Sequence, residues 1–391
     1  MSLPQLRVVP ASAPVTFARP SIGPGEIDGV LEVLQSGWLT TGPRVHEFER
    51  LFAAYTGASH AVAVNSCTAA LHLSLLAAGV GPGDEVVTTP LTFCATANAV
   101  LHAGARPVFA DVDLDTMNLD PARAAEAVTP RTRAVLPVHF AGRPVDVEAF
   151  QGLRRAHGLV LVEDAAHAVE SASPAGKVGV TADFTCFSFY ATKNLTTGEG
   201  GMITTPSPDH AAWLRTAALH GMSRDAWRRY APGGRADYDV VMAGFKYNMT
   251  DLAAAIGLRQ LARLSDMAAR RAAIWQAYDE ALAGLPLIRP APPAPGTVHA
   301  RHLYPVLVDP ALSGWTRDAL QEALAGRGIS TSVHFRALHL HPFYQQRLGV
   351  RPGMFPNAEY LSARTLSLPL SAALTDDELE RTIAALVDLM R

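Results

Sequence analysis

Lysine is nearly missing from this chain. Of its 33 basic residues only Lys177, Lys193 and Lys246 are lysines, and the rest are arginines. Cysteine is as scarce, with Cys67, Cys94 and Cys186 far apart and no C-x-x-C pair. That excludes a disulfide framework and a thiolate zinc site, and points to reduced thiols in a cytoplasmic protein. No apolar run is long enough to span a bilayer, and the stretch MSLPQLRVVPASAPVTFARP lacks the basic head and apolar core of a signal peptide. Charge of either sign is balanced to a net of -3, which offers no field for nucleic acid or an anionic membrane.

What remains is a chain with 49% apolar residues, ample for a sizeable core. At 391 residues it has room for two domains at roughly 150 residues each. From residue 60 to about 205, short apolar runs alternate with helical patterns. Strands are expected at 60–66, 84–89, 106–112, 133–140, 159–164 and 184–190, with helices near 68–78, 92–103, 121–128 and 146–157. Several of these strands are apolar almost throughout, as in strands buried on both faces. The alternation predicts an α/β layer with a mostly parallel central sheet. Residues 250–282 read as one long helix or two abutting ones, with Thr250 or Asp251 as N-cap. The Pro-rich stretch 285–296 reads as a loop or an edge element at a domain junction. A smaller α+β unit follows: strand 302–308, helix 316–328, strand 329–335 and a C-terminal helix over 376–390.

Three strand ends carry chemistry, and ligands of open α/β sheets bind beyond such ends. In NSCTAALHLSLLAAG (65–79), Asn65, Ser66 and Thr68 stand where a strand meets a helix, and a helix N-terminus favours phosphate. A plain N-cap explains them equally well. In LVLVEDAAHA (159–168), Asp164 directly follows an apolar run, where a carboxylate needs a cation or donors. It suits a cationic ring nitrogen, or else a simple turn cap; His167 reaches the same ligand or is structural. In FSFYATKNLTTGEGG (187–201), Lys193 lies just past a strand. Arginine would carry the same charge with more donors, but only an amine loses its proton and forms Schiff bases with carbonyls. Lys177, in a turn, and Lys246 are read as solvated. Phosphate cradle, buried acid and amine in this order describe a pyridoxal phosphate site.

With these stretches in view, the chain resembles the DegT/StrS family of fold-type I, pyridoxal-phosphate-dependent sugar aminotransferases, closest to those acting on UDP-linked 4-keto sugars. The resemblance covers nearly the whole length. It rests above all on VEDAAHA (162–168) and FSFYATKNLTTGEGGM (187–202), with SGWLTTGPRVHEFER (36–50), VNSCTAALHLSLLAAGVGPGDEVVTTPLTFCATANAV (64–100), GARPVFADVD (104–113), YNMTDLAAAIGLRQL (247–261) and VHFRALHLHPFY (333–344). It implies an N-terminal arm (1–20), a large cofactor domain (21–265) and a small C-terminal domain (266–391).

The resemblance also implies roles. Lys193 is the Schiff-base lysine, Asp164 the partner of the pyridine nitrogen, and His167 the neighbour of the phenolic oxygen. Ser66, Cys67, Thr68 and Ser188 hold the phosphate, and Phe93 stacks on the ring. Asn248 reaches the cofactor phosphate of a neighbouring subunit, which implies a homodimer with active sites at the interface. On the substrate side it suggests Trp38, Leu39, Thr40, His139, Phe140, His334, Phe335, His339 and Tyr344, with Arg224, Arg228 and Arg229 for a nucleotide diphosphate. The His-rich stretch HFRALHLHPF has no acidic or thiol ligand beside it, so no metal is expected. The implied reaction moves an amino group from L-glutamate to a nucleotide-linked keto-sugar, a 4-keto-6-deoxy sugar in the first instance, by ping-pong Schiff-base chemistry. Cyclitol amination, aromatic-amine formation and a non-catalytic regulatory role stay open. Sugar dehydration with histidine in place of the lysine does not fit Lys193.

Overall fold

The computed structural model describes residues 13–222 and 238–391. The strands are β1 (His60–Val64), β2 (Glu85–Thr88), β3 (Arg106–Phe109), β4 (Thr132–Leu136), β5 (Val160–Asp164), a two-residue hairpin β6 (Ala172–Ser173) and β7 (Gly176–Lys177), β8 (Phe184–Ser188), β9 (Gly201–Thr205), β10 (Tyr304–Leu307) and β11 (Thr365–Leu368). Seven of them form the central sheet in the order β1-β9-β8-β5-β4-β2-β3. It is parallel throughout except for β9, which runs antiparallel to both neighbours. The sheet is therefore mostly parallel, as its apolar strands predicted.

The sheet is buried on both faces. Helices α1 (Pro24–Ser36) and α2 (Pro43–Thr56) precede it, while α3 (Cys67–Ala77), α4 (Cys94–His102), α5 (Pro121–Glu126), α6 (Val147–His157) and α7 (Pro208–Ala218) alternate with or follow its strands. Helix α3 is apolar nearly all round, because it lies between the sheet and the helices α4 and α7. Ser66 caps its N-terminus by accepting from the Ala69 N–H. Burial of Val62, Val64, Leu71, Leu73, Val86, Leu136, Val162 and Phe184 in one cluster locks α3 to the sheet.

The long C-terminal helical segment is two helices, α8 (Asp251–Ala262), capped by Thr250, and α9 (Leu264–Ala281), which break at Arg263. Then come α10 (Pro310–Ser313), α11 (Arg317–Gly326), α12 (Pro342–Leu348), α13 (Pro356–Arg364) and α14 (Asp376–Met390). A second core joins α9, β10, β11, α11 and α14 through Tyr278, Tyr304, Val306, Leu320, Leu366 and Leu386.

Two sequence expectations change here. The strand expected over 329–335 is not formed: Ile329 makes a lone bridge to Val15, and Ser332 one to Ser367. The partner of β10 is instead β11, which the sequence reading had not marked. Strand β9 carries no such expectation either, since a short run opening on Gly201 and preceded by Gly200 gives a weak strand signal. None of the described helices is long and apolar enough to cross a membrane.

Candidate active site

The carboxyl ends of β1, β5 and β8, with the amino end of antiparallel β9, meet at one cavity of about 470 Å³. Its floor is built from the large sheet. The first helical turn of α3 brings Ser66, Cys67 and Thr68 to the cavity. Among the described residues no group accepts from the Cys67 or Thr68 N–H. The turn sits that low because Gly201 has no side chain: a Cβ there would meet the Ser66 carbonyl carbon at 2.6 Å and the Cys67 nitrogen at 2.8 Å. Ser188, at the end of β8, lines the same corner.

Asp164 ends β5 and is 5% exposed. Its carboxylate accepts the Thr96 hydroxyl at 2.8 Å and the Ala166 N–H at 3.1 Å. Thr96 in turn accepts from Thr92 at 2.8 Å, its own proton being committed to Asp164. Burial raises the Asp164 pKa, against these donors and the nearby Lys193. A buried carboxyl with this unmet need for positive charge fits a pyridinium nitrogen.

Lys193 lies in the loop after β8, its N–H bonded to the Tyr190 carbonyl at 2.9 Å. Its side chain faces the cavity, and among the described residues no carboxylate lies within 4.0 Å of the amine. Burial lowers its pKa from 10.5 to about 8, opposed by Asp164. At neutral pH a usable fraction is therefore the free amine, as a carbonyl nucleophile needs.

His167 accepts the Ala141 N–H on Nδ1 at 3.2 Å, which leaves the proton on Nε2. Burial, then Lys193, keep this imidazole neutral. Phe335 stacks near it, with rings inclined 17° and centroids 6.2 Å apart. Phe93, the N-cap residue of α4, is 60% exposed, and its bare face opens on the cavity. Helix N-terminus, carboxyl, amine and open aromatic face together fit the phosphate, ring nitrogen, aldehyde and ring of pyridoxal phosphate.

His334 and Phe335 also line this cavity. Three other substrate-side candidates do not. His139 is fully buried, with Nδ1 accepting the Val145 N–H and Nε2 3.5 Å from Glu163. His339 bonds Glu359 at 2.9 Å, and Tyr344 donates to Asn98 at 2.7 Å within an apolar cluster. Each side chain is held by a partner inside the fold rather than facing the cavity, although His139 Nε2 and His339 Nδ1 are left without a hydrogen bond among the described residues. Phe140 packs in the same apolar cluster as Tyr344.

Trp38, Thr40 and Asn248 gather elsewhere. Asn248 donates to Thr41 at 2.7 Å and borders a second cavity of about 300 Å³, its Oδ1 unpartnered. Trp38 donates to the Thr41 carbonyl, and the Thr40 carbonyl accepts from Asp251. Leu39 beside them is exposed. Arg224, Arg228 and Arg229 lie outside the described residues. Lys177 is not solvated as expected: its amine donates to the Tyr55 carbonyl at 2.7 Å and covers the Tyr55 ring.

Phe17, Thr96, Tyr190 and His302 belong to the site or its support, and sequence reasoning missed them. The one signal was polar residues interrupting apolar runs, which many structural residues share.

The family model of the DegT/DnrJ/EryC1/StrS aminotransferases matches residues 20–387. Bacillus subtilis (strain 168) SpsC, a spore coat polysaccharide biosynthesis protein, is 50% identical over 377 residues, covering 96% of this chain and 97% of the relative. Spr1654 of Streptococcus pneumoniae, described as a sugar aminotransferase and solved in PLP and PMP forms, superposes with a TM-score of 0.89 at 33% identity, over 96% of this chain and 98% of that one. DesI, solved in the presence of its TDP-sugar product, gives 0.85 at 36% identity, over 97% and 93%. With the cavity chemistry these matches agree on one conclusion: the chain belongs to the DegT/DnrJ/EryC1/StrS aminotransferase family, and is a pyridoxal-phosphate-dependent aminotransferase of fold type I.

Proposed function

We propose that this enzyme moves the amino group of L-glutamate to a nucleotide-linked keto-sugar, forming an amino sugar, in the cytoplasm. The observation that carries the reading is the unpaired, buried Lys193 amine in one cavity with Asp164 and the first turn of α3. DesI, solved in the presence of its TDP-sugar product, supports a nucleotide-linked sugar as acceptor.

Bound pyridoxal phosphate supplies an aldehyde for amines and a ring that takes up electrons from a broken C–H bond. The chain supplies the rest. Lys193 Nζ would hold the aldehyde carbon, and as a free amine it would take the donor's Cα proton as base and pass it on to the cofactor's carbon as acid. Asp164 would keep the ring nitrogen protonated, and the α3 N–H groups with the Thr68 and Ser188 hydroxyls would hold the phosphate. His167 would donate Nε2–H to the phenolic oxygen, and Phe93 would cover one ring face. Trp38, Thr40, Arg224, Arg228, Arg229, His334 and Phe335 are assigned to the substrate. The division into an arm (1–20), a large domain (21–265) and a small domain (266–391) belongs to the same reading.

A homodimer is part of the proposal. Ile27, Leu31 and Leu34 expose an apolar stripe along α1, and Asn248 faces away from its own chain's Lys193 cavity. Both features suit a second copy that completes each site.

The test is a panel of keto-sugar nucleotides given with L-glutamate and read by mass spectrometry. Amino-sugar product with release of 2-oxoglutarate supports the reading. A yellow enzyme whose visible band shifts with glutamate but that aminates only cyclitols overturns the acceptor class.

A further inference from the structure

The cavity that holds Lys193 is also lined by His302, whose ring packs beside His167 with centroids 4.4 Å apart and planes inclined 36°. The two imidazoles hold their protons on opposite nitrogens. Both amide protons of Asn194 are already committed, to Glu170 at 2.8 Å and to the Ala300 carbonyl at 2.9 Å. Its Oδ1 therefore accepts from His302 Nδ1 at 2.9 Å. A proton on Nδ1 leaves a lone pair on Nε2. That nitrogen has no protein partner among the described residues, and is not among the buried unpartnered atoms, so it opens on the cavity. Burial keeps the ring neutral.

The backbone is strained to hold this arrangement. Ala141 (φ 56°) and Arg301 (φ 48°) are left-handed without being glycine. Ala141 ties the His167 ring to the His302 backbone, its N–H donating to His167 Nδ1 at 3.2 Å and its carbonyl accepting the His302 backbone N–H at 3.0 Å. Such conformations persist where the surroundings over-determine them, and they gather at functional sites.

We propose that His302 is a specificity-determining residue whose Nε2 accepts a hydroxyl of the keto-sugar beside the carbon to be aminated. The proposal rests on the sugar reading above. Asp164, Lys193 and the first turn of α3 come from the ends of the large sheet, whereas His302 and His334 line the same cavity from chain segments outside that sheet. An amino-acid donor brings carboxylates, which a neutral lone pair repels. A sugar brings O–H donors, which it accepts.

The test compares wild type with His302→Phe and His302→Gln as holoenzymes. The readout is the ratio of the two half-reactions: with glutamate as donor, followed by absorbance, the loss in His302→Phe is at least about tenfold smaller than with the sugar. In the acceptor half-reaction its kcat/KM for the keto-sugar falls roughly 100-fold, mainly through KM, because the hydroxyl loses its partner. His302→Gln, which keeps an acceptor, recovers part of the loss. ¹⁵N NMR of the labelled histidines shows one site protonated at Nδ1 alone. Equal sugar kcat/KM in wild type and His302→Phe overturns this proposal alone, as does an Nε2–H tautomer for His302. A wild-type enzyme with no turnover on any keto-sugar overturns the substrate reading and this proposal with it.

Discussion

Gly201 lies so close to Ser66 that any side chain would enter the peptide joining Ser66 to Cys67, with a Cβ 2.7 Å from the Ser66 oxygen. The contact is backbone against backbone, so no rotamer change relieves it. Gly201→Ala therefore lifts the first turn of α3 and misaims its N–H groups. Affinity for pyridoxal phosphate, measured by equilibrium dialysis, is expected to fall at least about tenfold while far-ultraviolet circular dichroism stays native. Each phosphate hydrogen bond to a charged oxygen is worth about 1.5–3 kcal/mol. Unchanged affinity would show that this turn does not anchor the phosphate.

The Lys193 amine makes the apo protein less stable than it need be. Its pKa falls from 10.5 to about 8 in the fold. Below about pH 8 the amine is charged in both states, and burial imposes its full cost, about 3 kcal/mol at 1.36 kcal/mol per pH unit. Between about pH 8 and the unfolded value the folded state gives up its proton first, so stability rises with pH until the cost is gone. Lys193→Met apo protein is expected to be more stable than wild type at pH 7 by about 2–3 kcal/mol, with the gap closing above pH 10. Urea denaturation across that range measures it. The same variant has no transaminase activity, and borohydride reduction of wild-type holoenzyme places the label on Lys193.

Asp164 and Thr96 act as one unit. Asp164→Asn keeps the shape but removes the charge, and turnover is expected to fall at least about a hundredfold, from loss of electrostatic stabilisation. Thr96→Val removes one donor to the carboxylate, and costs roughly 1–2 kcal/mol of its preference for the charged form. The Asp164 pKa is already raised by burial. Losing the donor raises it further, so the acid limb of kcat moves to higher pH. A Thr96→Val profile that superimposes on wild type would remove the hydroxyl from this role.

Arg271, 3% exposed, is paired with Glu170 beneath the Asn194 amide. Removing one partner leaves a buried charge alone. Arg271→Met is expected to cost about 3–5 kcal/mol, whereas the double variant with Glu170→Met recovers much of that. Thermal and urea unfolding of the three variants give the coupling directly. If single and double variants lose equally, the pair is not an isolated unit.

The cofactor half of the site was legible because its signals are local. Asp164, Ser66 and Ser188 stand at or just past the ends of apolar strands. In a parallel sheet those ends share one edge, so chain order alone brings the residues together. Lys193 was legible by its chemistry, as one amine in a chain that otherwise uses arginine.

The substrate half was not legible, and His139 and His302 show why. Both are histidines at the margin of an apolar run. One faces Glu163 inside the core, while the other opens on the cavity. Alternation along a strand separates two faces but does not say what each face meets. That was decided by packing: β9 inserts between β1 and β8, β11 takes the place beside β10, and Val15 bridges to Ile329. The sequence by itself determined the mostly parallel α/β layer and the cofactor, and singled out Lys193 as the candidate amine, because each rests on residues near in the chain. Tertiary structure alone decided which histidines line the cavity and which of their ring nitrogens are already bonded, because that depends on partners such as Asn194 and Ala141, far away in sequence and close only after folding.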